Sequence, residues 1–102
     1  MFVAAVTLSA APAPRTFVGT ISDDMCAVAG HASMRMGPTD AECTRACVGL
    51  HGAAYVLVSG RNVYRLSDQQ TPDRLAGQRV RVVGTLDDKT ETIQVQSIEA
   101  DR

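Results

Sequence analysis

Hydrophobic and polar residues alternate along five stretches of the chain, and this alternation predicts five β-strands. In the first stretch, Phe17 and Ile21 share one face of the strand. In the fourth, Val80 and Val82 point the opposite way from the arginines beside them. Gly19 and Gly84 interrupt two of the stretches and suggest a bend or bulge. The five stretches are RTFVGTI (15–21), AYVLVSG (54–60), NVYRLSD (62–68), RVRVVGTLDD (79–88) and TIQVQSIEA (92–100).

Two other stretches carry the start and stop signals of helices. Thr39 and Glu42 form a capping box, which predicts a helix of about three turns that ends at Gly52. The segment TPDRLAGQ (71–78) predicts a shorter helix, with Thr71 as N-cap, Pro72 at the first helical position and Gly77 at the stop.

The order of these elements predicts an all-β domain, an OB-fold-like five-stranded barrel. Residues 23–52 form a loop-helix insertion between strands 1 and 2, and the short helix lies between strands 3 and 4. An open five-stranded sheet with one helix is the alternative. The tight turn Ser59-Gly60-Arg61-Asn62 joins strands 2 and 3.

The first 13 residues favour an export signal. An apolar run from Phe2 to Ala11 is too short to span a bilayer, and Ala11-Pro12-Ala13 has the small-x-small pattern of a peptidase cleavage site. No Lys or Arg precedes the run, and a buried first strand is the other interpretation. We therefore expect a signal peptide at 1–13, an OB-like domain at 14–102, and a periplasmic or secreted protein.

Charge and composition argue against several classes of function. The net charge is −1, with 10 Lys and Arg against 11 Asp and Glu, so no basic surface for nucleic acid is indicated. The four aromatic residues offer few stacking platforms. We find no Ser-His-Asp set, Gly-rich phosphate loop or Cys-x2-Cys motif. These observations favour a binding protein over an enzyme, with neither a nucleic-acid partner nor a membrane span.

The insertion concentrates the residues that bind soft metals. Cys43 and Cys47 lie one helical turn apart, so their side chains point the same way. Cys26 and His31 precede them in the loop and could complete a Cys3His shell, which suits Zn(II). The thioethers of Met34 and Met36, with Met25 nearby, shift the balance toward Cu(I). The predicted metal ligands are Cys26, His31, Cys43, Cys47, Met34 and Met36.

A disulfide is the principal alternative for the same cysteines. Cys26 could bridge to Cys43 or Cys47 and pin the loop to the helix, which would stabilise the domain by roughly 3 kcal/mol. A bridge between Cys43 and Cys47 is geometrically marginal. Thiol redox chemistry is a third possibility, since one bridge leaves an odd cysteine. His51 is expected to be a helix C-terminal residue, with a fallback role as fourth ligand.

Several motifs of the chain together resemble a family of small exported bacterial proteins of uncharacterised function. These motifs are "GTISDDMC", "ECTRACV", "GAAYVLVSGRNVYRLSD", "LAGQRVRVVGTLDD" and "TIQVQSIE". The resemblance extends from Val18 to Glu99. In that family the first Cys is typically followed by Gly and then a His. Ala27 replaces the Gly here, while the cysteines and His31 match. The resemblance implies a real Cys/His site, with no ligand named.

Overall fold

The computed structural model describes residues 13–25 and 39–101, which form five strands and one α-helix. A 3₁₀ helix spans Thr71–Leu75 between the third and fourth strands. The elements are β1 (Arg15–Asp23), α1 (Asp40–His51), β2 (Tyr55–Ser59), β3 (Asn62–Leu66), β4 (Arg79–Asp87) and β5 (Thr92–Ala100).

The five strands close into a barrel in the order β1-β2-β3-β5-β4. β1 closes the ring because its first part pairs with β4 over residues 15–20 and its last part pairs with β2 over residues 20–23. The contact between β3 and β5 is short and parallel, and the other pairings are antiparallel. The expected closed, mostly β architecture is confirmed, and the open-sheet alternative is wrong.

The side chains on the inward face of each strand fill the barrel interior. Phe17 and Ile21 of β1 point inward together, as do Val80 and Val82 of β4, while Arg79 and Arg81 are exposed. The rings of Phe17 and Tyr64 meet edge to face with their centroids 5.4 Å apart, a favourable aromatic geometry. The buried residues of this core are Phe17, Ile21, Tyr55, Leu57, Tyr64, Leu66, Ala76, Val80, Val82 and Ile93.

The two interrupting glycines act differently. The β4–β5 register shifts between Val83 and Gly84, and the extra residue is Gln96 of β5, so Gly84 lies opposite the irregularity and is not itself bulged. At Gly19 the pairing with β4 continues without a shift, so this position is no bulge. A Cβ at Gly19 would collide with the carbonyl oxygen of Val58 on β2. Gly19 therefore allows close approach of two backbones at the point where β1 changes partners.

The helix ends follow the predicted capping for α1 but not for the 3₁₀ helix. The Thr39 hydroxyl accepts the backbone N–H of Glu42 at 3.1 Å, and Gly52 ends α1 in the left-handed conformation with φ of 68°. The prediction that Thr71 is an N-cap is wrong. The Asp68 carboxylate instead accepts the backbone N–H groups of Gln70 and Thr71, at 2.9 and 3.0 Å, and takes the capping role.

The expected export signal at 1–13 falls almost wholly outside the described residues, of which Ala13 is the first. Across residues 13–25 and 39–101, no helix has the length and apolar character needed to cross a membrane.

Candidate functional site

Two buried cysteine side chains lie side by side on the inner face of α1. Cys43 and Cys47 are one helical turn apart and have no exposed surface. They form a small apolar cluster with Met25, from the chain just after β1, and Ala53, from the chain just before β2. The two cysteines are not bonded to each other. Their sulfur atoms are thus brought together by the helix and shielded by two other chain segments.

Packing and hydrogen bonds fix α1 against the barrel in the orientation that turns Cys43 and Cys47 inward. Val48, from the same helix, packs on the barrel core. At the exposed surface, Arg45 Nε donates to the backbone oxygen of Asp73 in the 3₁₀ helix at 2.9 Å. With its first turn capped by Thr39, α1 is a rigid support for the two thiol groups.

Two consecutive carboxylates fix the chain where the insertion leaves and rejoins the barrel. Asp23 Oδ2 accepts the backbone N–H of Met25 at 3.1 Å. Asp24 donates its own N–H to the Ala54 oxygen at 3.0 Å and accepts the Ala54 N–H on Oδ1 at 3.2 Å. These bonds hold Met25 and Ala54 in place. Met25, and Ala53 next to Ala54, pack against the cysteine pair.

Three polar residues of β1 and α1 are buried. Ser22, Asp23 and Thr44 are all buried. The hydroxyl of Thr44 has no hydrogen-bond partner among the described residues, which is costly for a buried polar group. Buried carboxylate and hydroxyl groups are thus found in β1 and α1, the helix that carries the two cysteines and the strand that leads to Met25.

Tyr55 lies opposite Asp23 in the β1–β2 register, and the pKa of its side chain is strongly shifted. Its hydroxyl donates to Asp73 Oδ1 at 2.5 Å. Burial raises the pKa of Tyr55 well above its usual value, and the hydrogen bond and negative charge of Asp73 raise it further. Gln69 completes the link by bonding both backbone groups of Tyr55, at 2.8 and 2.9 Å. Tyr55 is thus a neutral hydrogen-bond donor that ties β2 to the 3₁₀ helix.

The structure brings together only part of the predicted ligand set. Cys43 and Cys47 converge as expected. Within residues 13–25 and 39–101, no three or more His, Cys, Asp or Glu side chains are grouped so that they could hold a metal ion. His51 is exposed in the last turn of α1. The remaining predicted ligands, Cys26, His31, Met34 and Met36, lie outside the described residues.

Two features of this region did not emerge from the sequence. One is the contact of Met25 with the cysteines, because spacing within a loop does not indicate what a side chain touches. The other is the burial of Asp23 inside β1. A signal for it existed: the inward positions 17, 19 and 21 continue to 23 at the strand period of two. The predicted insertion, residues 23–52, instead began at Asp23.

The remaining charged residues of interest have structural partners at the barrel surface. Asp101 bonds Arg79 and Arg81, each at 3.0 Å, and these arginines hold the pKa of its carboxyl below the usual value. Asp87 accepts the backbone N–H of Lys89 at 3.0 Å in the β4–β5 turn, a bond that Asp side chains commonly make in turns. These partners within the protein explain the positions of the charged groups, and no ligand is needed to explain them.

Comparison with known proteins places part of the chain in a family. No curated protein and no solved structure matches it. A family model described as "Protein of unknown function (DUF5818)" matches residues 50–101, about half of the chain. The match runs from the end of α1 through β5 and leaves out β1 and both described cysteines. The chain belongs to the DUF5818 family.

Proposed function

We propose that this is an exported small binding protein that coordinates a soft metal ion, Cu(I) or Zn(II), through the cysteines and histidine of its insertion. The observation that carries the proposal is the fully buried pair Cys43 and Cys47 on one face of a capped helix. Two cysteine sulfurs on adjacent turns of the helix form half of a four-coordinate site before any metal binds. Little conformational entropy is then lost when the metal binds.

The missing donors come from the segment that begins beside the pair. Met25 packs against the cluster of the two cysteines, and the next residue in the sequence is Cys26. We assign Cys26 and His31 as the other two ligands, with Met34 and Met36 as additional partners if the ion is Cu(I). The protein acts by holding the ion, in the periplasm or outside the cell, rather than as an enzyme.

The experiment is to purify the exported protein under reducing conditions and measure its metal content and cysteine reactivity. Thiol ligands lose their protons when they bind metal and are then protected from alkylation. We expect about one metal ion per chain, and cysteines that react only after a chelator is added. Cys43→Ala should remove both the metal and the protection, because it removes one donor of the rigid pair. Circular dichroism checks that this variant folds.

His51→Ala is the matched control in the same helix. Since His51 is exposed at the end of α1, its loss should leave metal content unchanged. A protein that contains no metal as purified and takes up none when titrated with Cu(I) or Zn(II) under reducing conditions would refute the proposal.

A second candidate is a binding module that contains no metal and is stapled by a disulfide from Cys26 to Cys43 or Cys47. The closed strand order and the bridging role of β1 support an OB-like barrel, and such barrels bind proteins and saccharides through the face of strands 2 and 3. Intact mass separates the two candidates. A mass about two daltons below that of the reduced chain, with one alkylatable thiol, would favour the staple.

A further inference from the structure

A third sulfur atom belongs to the described part of the site. Met25 follows β1 and packs against Cys43 and Cys47, which come from α1. The three sulfur-bearing side chains therefore come from two separate elements that meet at one place. Met34 and Met36, the methionines that the sequence suggested as copper partners, lie outside the described residues.

Met25 is held in place by its own backbone. Its N–H donates to the carboxylate of Asp23, a residue fully buried within β1. The preceding residue, Asp24, is bonded in both directions to Ala54. The start of the Met25 side chain is therefore fixed, while its three rotatable bonds let the sulfur adjust. Because the Met25 backbone is fixed and its side chain can rotate, the thioether can bind an ion held by the two thiolates with little loss of conformational entropy.

We propose that Met25 is a thioether ligand to Cu(I), bound together with the thiolates of Cys43 and Cys47. This inference rests on the proposed function and narrows it to copper. Two thiolates and a thioether are a soft donor set that suits Cu(I), whereas Zn(II) takes thiolate, imidazole and carboxylate donors. Binding one Cu(I) displaces the two thiol protons and leaves one net negative charge on the three-sulfur unit.

The cysteines have no exposed surface, and Met25 is partly buried against them. Any apolar side chain at position 25 could pack against the cysteines. The test must therefore separate the effect of the sulfur atom from the effect of side-chain volume.

The test replaces the sulfur while keeping the volume. Met25→Leu is a volume-conserving change that cores tolerate well. Each variant is titrated with Cu(I) without oxygen, in competition with a chromophoric Cu(I) chelator, and separately with Zn(II). We expect Met25→Leu to weaken Cu(I) binding at least about tenfold, because outer-shell changes alone weaken metal binding by that much. Zn(II) binding should stay within about twofold of wild type.

Leu50→Ala, at an exposed position of α1, is the control and should bind Cu(I) as the wild type does. Met34→Leu and Met36→Leu are titrated alongside it. X-ray absorption at the copper edge provides the second readout. It should count one fewer sulfur neighbour in Met25→Leu than in the wild type, which a purely structural role would not produce. Unchanged Cu(I) affinity and sulfur count in Met25→Leu would overturn the inference.

The outcomes separate this inference from the proposed function. If the wild type binds Cu(I), Cys43→Ala abolishes the binding and Met25→Leu has no effect, only the role of Met25 is refuted. The same holds if the loss appears in Met34→Leu or Met36→Leu instead. If the reduced wild type binds neither ion, the proposed function and the role of Met25 are refuted together.

Discussion

The hydroxyl of Tyr55 shows how one buried polar group links the site to the barrel. It donates to Asp73 of the 3₁₀ helix, whose backbone oxygen also accepts from Arg45 of α1. Asp73 thus joins the 3₁₀ helix to both β2 and α1. Removing the hydroxyl should loosen the support of α1 without emptying the space that the ring fills.

Tyr55→Phe should lower the free energy of unfolding at neutral pH by about 1.5 to 3 kcal/mol, the range for one hydrogen bond with a charged acceptor. Burial and Asp73 raise the pKa of Tyr55, so the folded chain favours the neutral phenol. Its pKa in the unfolded chain is about 10. The stabilisation is therefore complete below about pH 10 and is lost as the pH rises further.

Urea unfolding at pH 8 and at several values above pH 10 measures both effects. In Tyr55→Phe the alkaline loss should shrink. Tyr64→Phe is the control, because the Tyr64 ring packs on Phe17 in the core. It should retain the alkaline loss of the wild type. If Tyr55→Phe is as sensitive to alkali as the wild type, another group is responsible for that loss.

Among the elements, β1 and α1 each contain a glycine, and the two glycines have opposite roles. Gly19 lies where a Cβ would collide with the Val58 carbonyl oxygen, whereas a Cβ at Gly49 would meet nothing within 4 Å. Gly19 is thus required by the approach of two strands. Gly49 occupies an exposed helical position where alanine is the better helix former.

The same substitution at the two positions should change stability in opposite directions. Gly19→Ala should lower the free energy of unfolding by about 1 to 3 kcal/mol, because one of the two backbones must move. Gly49→Ala should raise it by roughly 0.5 to 1 kcal/mol. Denaturant midpoints at constant m-value measure both changes. A stabilised Gly19→Ala variant would mean that β1 and β2 are farther apart than described.

Elements with a strong local signal were predicted well from the sequence. The alternation in β4 placed Val80 and Val82 inside, and the Thr39 capping box marked the start of α1. Thr71 was misassigned because Asp68, three residues earlier, accepts the N–H groups of Gln70 and Thr71 and so caps the turn before Thr71. Convergence of Cys43 and Cys47 followed from helical spacing. The contact of Met25 with them did not, because it depends on how β1 and α1 pack together.

At the scale of the whole molecule, closure of the barrel depends on β1. β1 supplies the partner of β2 over residues 55–58 and of β4 over residues 79–84. The family match begins after β1, at residue 50. A chain limited to the matched residues would expose two strand edges and the interior side chains that β1 covers. Open edges of this kind favour pairing with other chains.

A fragment of residues 50–101 should therefore fail to form a monomeric barrel, whereas residues 13–102 should form one. Size-exclusion chromatography with light scattering, together with thermal unfolding, compares the two. We expect the fragment to associate as its concentration rises or to lack a cooperative transition. A monomeric fragment that unfolds cooperatively would show that β2 to β5 are sufficient without β1.

The insertion begins and ends at residues that are hydrogen-bonded to each other, Asp24 and Ala54. The chain therefore leaves the barrel and returns to it at nearly the same point. Doubling the length of a flexible loop costs only about 0.6 kcal/mol, so the barrel should tolerate changes in the length of the insertion as long as α1 keeps its contacts through Val48 and Arg45. A protein engineer could therefore place another recognition element between Asp24 and α1 while keeping the five strands and the helix that packs on them.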